Sequence, residues 1–123
     1  MLTNAPPIAF LATTDAERAR AFYEGQLGLT FVADQHVFLL FDAHGTRLHI
    51  QKVEAVDPPG YTVLGWQVAD IAGEVRALAA SGVTFERYDF IEHDEAGIWT
   101  APGGARIAWF KDPDGHTLSL TQL

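Results

Sequence analysis

The sequence predicts an α+β fold built from two βαβββ modules whose curved mixed sheets pair around a cavity. Three observations predict it. Ile8 to Asp15 (IAFLATTD), a helical run and Gly28 to Phe31 (GLTF) are echoed by Val63 to Asp70 (VLGWQVAD), a second helical run and Gly82 to Phe85 (GVTF). A closing phrase also recurs, Asp42 to Ile50 (DAHGTRLHI) against Asp112 to Leu120 (DPDGHTLSL), with the Asp, Gly and Leu in register. Finally, both halves run through the same element order, and two copies of one supersecondary unit commonly enclose a site between them.

The elements follow from local chemistry. Ile8 to Ala12 is a short apolar run typical of a buried strand. Asp15 is placed to cap a helix, with Glu17 in the first turn where the macrodipole favours an anion. Ala19, Phe22, Tyr23 and Leu27 share one helical face, and Gly28 ends the helix. Leu29 to Ala33 is the next strand. His36 to Phe41 and Arg47 to Val53 form a hairpin around Asp42 to Gly45. Glu54 to Gly60, with Pro58 and Pro59, breaks the chain between the repeats. In the second copy Asp70 caps a helix carrying Ile71, Val75 and Leu78 on one face and ending at Gly82. Val83 to Tyr88, Gly97 to Thr100 and Arg106 to Phe110 read as strands. Asp112 to Gly115 is a turn, because Pro113 sets φ and Gly115 permits positive φ. His116 to Thr121 is the last strand.

Alternate residues of a strand point to opposite sides. Ala9, Leu11, Leu48, Ile50, Leu64, Trp66, Val68, Leu118 and Leu120 are therefore expected to face the helices. The opposite parity holds Ile8, Phe10, Ala12, Arg47, His49, Gln51, Val63, Gly65, Gln67, Thr117, Ser119 and Thr121. That mixture of apolar, polar and small side chains is the lining of a ligand pocket.

Composition narrows the function. The chain has 123 residues, 48% of them hydrophobic, and no cysteine. That leaves no disulfide framework and no thiolate metal site or nucleophile. No apolar run is long enough to span a membrane, and the first residues lack the basic start and apolar centre of a signal peptide, so a cytoplasmic protein is expected. The formal charge of −8, from 16 acids against 8 bases, disfavours nucleic acid as a partner; it either favours a cationic ligand or, the reading preferred here, simply keeps the protein soluble.

Paired βαβββ repeats, the strand–Asp15–helix phrase through Phe22, Tyr23, Leu27 and Gly28, and the closing Asp112 to Leu120 phrase together resemble the vicinal oxygen chelate superfamily. That group includes glyoxalase I, extradiol dioxygenases, fosfomycin-resistance transferases and the bleomycin-resistance binding proteins. The resemblance implies one domain of this kind over 1–123, with module one at about 5–54, a linker at about 55–60 and module two at about 61–123. It also implies a homodimer, or closure of the two modules within one chain. Its enzymes hold a divalent metal with His, Glu or Gln on each of four strands. The matching positions here, two of them seven residues before Asp15 and Asp70, read Ile8, His49, Val63 and Ser119. Only His49 among them is a metal ligand of that kind, whereas catalytic metals usually take three protein ligands. Gln51 and Gln67 are the nearest substitutes.

The expected function is therefore small-molecule binding without a metal or other cofactor, with a planar or cationic compound as ligand. The alternative is a lyase, transferase or dioxygenase with an atypical site around His49, either holding one divalent metal or using His49 as a general base. A third reading makes the fold an interaction module with its cavity filled by side chains. The expected ligand-binding residues are Phe10, Arg47, His49, Gln51, Gln67, Trp99, Trp109, Ser119, Glu92 and Glu95. His49 is either a ligand contact or a satisfied strand residue. Arg47 either holds a carboxylate or phosphate or, the reading favoured here, pairs with an acid. Phe10, Trp99 and Trp109, with Tyr61, Tyr88 and Phe90, either line a slot for a flat ring or belong to the core. The faces of Trp99 and Trp109 stay open. Glu92 to Glu95 is either an acidic lid hinged at Gly97 or a solvated turn.

Overall fold

The computed structural model describes residues 1–123. The chain divides into two compact units, Met1–Asp57 and Pro58–Leu123. In the first, β1 (Ile8–Thr13) leads into α1 (Ala16–Arg20), which continues as a π-helical stretch over Ala21–Gln26. Strands β2 (Thr30–Asp34), β3 (Phe38–Ala43) and β4 (Thr46–Lys52) follow. Their order in the sheet is β1-β4-β3-β2, with β1 parallel to β4 and the other pairs antiparallel. The second unit has β5 (Thr62–Gln67), α2 (Ile71–Ala80), β6 (Trp99–Thr100), β7 (Arg106–Lys111) and β8 (Thr117–Gln122). Its order is β5-β8-β7-β6, again with the first pair parallel. The repeated phrases thus produce one topology twice, as two four-stranded mixed sheets.

Both helices start where the repeated aspartates lie. Asp15 and Asp70 each accept a backbone N–H three residues on, from Arg18 and Gly73, at 3.1 Å. Each bond satisfies one of the donors that a helix N-terminus leaves free. Face assignment follows the predicted parity on β4. Leu48 and Ile50 are buried with Phe22, Tyr23, Leu39 and Phe41, while Arg47 and Gln51 are exposed and His49 is half-buried. In the second unit Ile71 and Val75 of α2 are buried, as are Ala108, Phe110, Leu118 and Leu120 of the sheet. Trp66 lies on this core side, its ring stacked 6.5 Å from that of Phe110.

The Asp112 to Gly115 turn is held by its first side chain. Asp112 Oδ1 accepts the N–H groups of Asp114 and His116 at 3.0 and 2.9 Å, and Oδ2 pairs with Nδ1 of His116 at 2.8 Å. Both side chains are buried.

Three features depart from the expected elements. The first helix does not run uniformly to Gly28: the Leu27 N–H bonds Phe22 O at 2.9 Å, one residue further back than in an α-helix. This wider turn narrows the angle between successive side chains, and the neighbours Phe22 and Tyr23 are both buried, with rings 5.0 Å apart. Val63 does not take the site-facing place assigned to it. The β5–β8 register pairs Thr62 with Thr117 and Leu64 with Leu118, so Val63 is the extra residue of a bulge and Thr62 occupies its place. Finally, Val83 to Tyr88 is not a strand. It touches β7 through a single bridge, Phe85 to Phe110, and one bond from the Glu86 N–H to Trp109 O at 2.8 Å.

Candidate functional site

That last departure builds the most distinctive surface of the second unit. Alongside β7 the chain makes contact at Phe85, leaves the sheet, and returns at Trp99 and Thr100, which pair with Ile107 and Arg106. Residues 87–98 form the excursion between these two anchor points. Arg87 braces it by donating through Nη2 to the carbonyls of Asp94 and Glu95 at 2.7 and 2.9 Å. Asp94 Oδ1 accepts the N–H groups of Ala96 and Ile98, each at 2.9 Å. The Glu92 to Glu95 segment is therefore an internally bonded loop, with Glu92 and Glu95 themselves exposed.

His93 is the buttress of this loop. Its Nε2 accepts the Tyr88 N–H at 3.0 Å, which leaves Nδ1–H to donate to Gly97 O at 2.7 Å. Both ring nitrogens are engaged within the loop, so His93 orients it. In the sequence His93 stands within an acidic run, and no periodic signal marks it out. Gly97 has φ +97°, and a Cβ there would stand 3.2 Å from that of Phe85. Gly97→Ala is expected to lower stability by about 1–2 kcal/mol, because left-handed backbone disfavours a side chain; urea unfolding measures it.

The loop and strands together enclose an aromatic groove of about 400 Å³. Trp99 and Trp109 stand on the same face, with ring centroids 6.0 Å apart and planes inclined at 30°. Tyr88 meets Trp109 edge-on at 5.5 Å and stacks on Phe90 at 5.6 Å. Tyr61 and Phe90 stand 69% and 82% exposed at the groove. Thr62 and the buried Thr117 add hydroxyls to the lining. Burial, then the nearby Glu86 carboxylate, raises the Tyr88 hydroxyl above its ordinary value of 10.0, so it stays protonated and can donate to a ligand. Beyond Phe90, Ile91 and Trp99 a second hollow of about 630 Å³ continues past Asp89, Glu92 and Asp94. One end of the trough is aromatic and the other acidic.

The remaining predicted site residues fall into two groups. Ser119 is buried on β8 with Trp109 and Gly65 as its strand partners, and Gln67 is exposed at the end of β5. Phe10, Arg47, His49 and Gln51 lie on the first sheet. There His49 is packed flat against Phe38 at 4.2 Å and meets Phe10 edge-on at 5.1 Å. Arg47 does not pair with an acid as expected. Its Nε–H donates to His49 Nε2 at 3.2 Å, because the carboxylate of Asp42, directly across on β3, is turned to accept the Gly45 N–H.

Partial burial and then the Arg47 charge hold His49 below the ordinary histidine value of 6.5. Its proton is thus bound more weakly in the folded chain than in the unfolded one. Any contribution to stability is present above the unfolded value and declines as the pH falls through it. By NMR, His49 is expected to titrate below 6.5, and Arg47→Gln to move that midpoint upward. A midpoint unmoved by Arg47→Gln would leave Arg47 no part in the shift.

A metal of the kind the resemblance implies does not fit these residues. At the relevant positions the first unit offers the aliphatic Ile8 and the imidazole of His49, and the second only the hydroxyls of Thr62, in the place of Val63, and Ser119. The Nε2 lone pair of the imidazole is engaged by a guanidinium, whose charge repels a cation. No group of three or more His, Cys, Asp or Glu side chains is arranged to hold a metal ion. No helix is long and apolar enough to cross a membrane.

Comparison with known proteins places this architecture. The chain belongs to the Glyoxalase/Bleomycin resistance protein/Dioxygenase superfamily, whose family model matches residues 6–120. Among solved structures, it is similar to a superfamily member from Sphaerobacter thermophilus DSM 20745, at 25% identity and TM-score 0.77 with 100% of each chain covered. TnmS3, an antibiotic binding protein from Streptomyces sp. CB03234, shares 24% identity at TM-score 0.74, with 99% of this chain and 98% of that one covered. A glyoxalase family protein from Enterococcus faecalis shares 19% at TM-score 0.76, over 98% and 99%. No curated protein matches the chain.

Proposed function

We propose that this chain is a small-molecule-binding protein of the glyoxalase/bleomycin-resistance type, working without a metal, that holds a planar or cationic compound. The observation that carries this reading is the aromatic wall of Tyr88, Trp109 and Trp99 facing an open groove. Flat rings stack on such walls, and cations are drawn to their faces. The acidic continuation past Asp89 and Glu92 supports a ligand with a positive arm. An antibiotic binding protein among the structural neighbours is consistent with sequestration in place of turnover.

The test is tryptophan fluorescence of the protein against planar neutral, planar cationic and aliphatic compounds. Saturable quenching by the planar compounds, strongest for the cationic ones, is expected. Equal response to aliphatic compounds removes the reading. Elemental analysis after loading with zinc, nickel, manganese and iron(II) checks the metal: stoichiometric binding lost in His49→Ala would replace this reading by the enzyme one. We further propose a homodimer, which would cover the exposed Val32 and Val37 of the first unit. A monomer in sedimentation at micromolar concentration counts against it.

A further inference from the structure

The first unit carries an arginine that no acid neutralises. The chain has 16 acids and 8 bases, and four of the basic side chains have a carboxylate within reach: Arg20 with Glu24, Lys52 with Asp34, Arg106 with Asp94 and Lys111 with Glu86. Arg87 is engaged by two loop carbonyls. Arg47 stands exposed on β4 and donates only to an imidazole. An acid is within one strand of it, yet Asp42 is committed to its own turn.

The imidazole contact leaves the guanidinium in a useful state. Because Nε–H is the group engaged, both Nη groups remain available as a fork of parallel donors. Because His49 Nε2 accepts, the ring proton is on Nδ1 and the imidazole is neutral, so it supplies no competing negative charge. The ring itself packs against Phe38 and Phe10, which orients the nitrogen that accepts from the guanidinium. Next to this fork, on β1, Ile8 pairs with Arg47 and Phe10 pairs with His49. These two apolar side chains are 45% and 56% exposed. A charged fork and an apolar shelf therefore run side by side on adjacent strands.

We propose that Arg47, oriented by His49, binds the carboxylate of a small organic acid whose aryl or branched apolar body rests on Ile8 and Phe10. A planar fork matches a carboxylate with two parallel hydrogen bonds, which a lysine ammonium does not reproduce. The shelf favours an aryl acid over inorganic phosphate, which has nothing to place there. This site is carried by the first unit alone, and it stands whether or not the groove of the second unit binds a ligand.

The test is NMR of the intact protein, following the Arg47 Nε–H and the His49 ring signals during titration with benzoate, benzyl alcohol and inorganic phosphate. Benzoate is expected to shift both signals saturably, while benzyl alcohol, of the same shape without the charge, leaves them in place. Arg47→Lys is expected to weaken benzoate by about ten-fold and Arg47→Gln to abolish it. His49 acts as a positioning residue, so His49→Ala should displace the Arg47 Nε–H signal and weaken benzoate several-fold. His49→Gln, whose amide oxygen can accept the same N–H, should restore most of the loss. Absence of a saturable benzoate shift in the wild-type protein overturns the site. An equal response to benzyl alcohol overturns the role of Arg47, and phosphate binding as tightly as benzoate overturns the ligand class. Groove binding is read separately by fluorescence, so failure of either proposal is visible without the other.

Discussion

Trp109→Ala is expected to abolish most of the affinity for planar compounds while leaving the fold intact. The Trp109 ring is the common partner in the groove, lying 5.5 Å from Tyr88, 6.2 Å from His93 and 6.0 Å from Trp99. Its removal takes away both a stacking surface and the support of two other rings. Loss of one such surface amounts to about 2–3 kcal/mol, or roughly 30- to 150-fold in Kd. Trp109→Phe keeps an aromatic face and should cost less than about ten-fold. Calorimetry is the suitable readout, because the substitution also removes a fluorophore. Unchanged affinity in Trp109→Ala would place the ligand elsewhere.

Asp112→Ala is expected to destabilise the second unit by about 2–4 kcal/mol, because it leaves buried donors without their acceptor. The carboxylate holds two backbone N–H groups and the His116 ring, and both side chains of the pair are buried. Without it, His116 and the turn amides stay desolvated with their acceptor gone. Asp112→Asn keeps an oxygen for the backbone donors and should lose less. Urea unfolding distinguishes the cases: a change under about 1 kcal/mol in Asp112→Ala, the size of an exposed pair, would mean that water replaces the carboxylate.

The architecture was legible because the information for it is local and doubled. Asp15 and Asp70 cap helices as side chains of that length do wherever a strand ends in an apolar periodic run. The parity of Leu48 and Ile50 against Arg47 and Gln51 needs only the period of a strand. What escaped were features decided by partners distant in sequence. The bulge at Val63 depends on how β8 runs beside β5, and period counting cannot see it. The loss of the strand at Val83 to Tyr88 depends on Arg87 and His93 finding loop carbonyls and amides. Those residues carry no periodic signal.

The same limit applies to the candidate sites. Aromatic chemistry marks Trp99 and Trp109 as candidates, but strand pairing is what brings them onto one face. The sequence favours an acid partner for Arg47, but it does not say which carboxylate is already engaged, and Asp42 is held by its own hairpin. His93 was hidden for the opposite reason: flanked by acids, it read as surface, although its ring bridges Tyr88 and Gly97.

The interrupted edge of the second sheet has an evolutionary consequence. In the first unit the matching edge is a continuous strand, with Thr30 to Asp34 paired along β3. In the second, both ends of the excursion are pinned to β7, at Phe85 and at Trp99. Residues between two fixed moorings can be inserted, deleted or exchanged without altering the register of any strand. The entropic cost of a longer loop grows only slowly with its length. One copy of the duplicated unit therefore keeps a closed margin while the other offers exposed positions such as Asp89, Phe90 and Glu92, between the braces at Arg87, His93, Asp94 and Gly97, on which selection for new ligands can act with little penalty to folding.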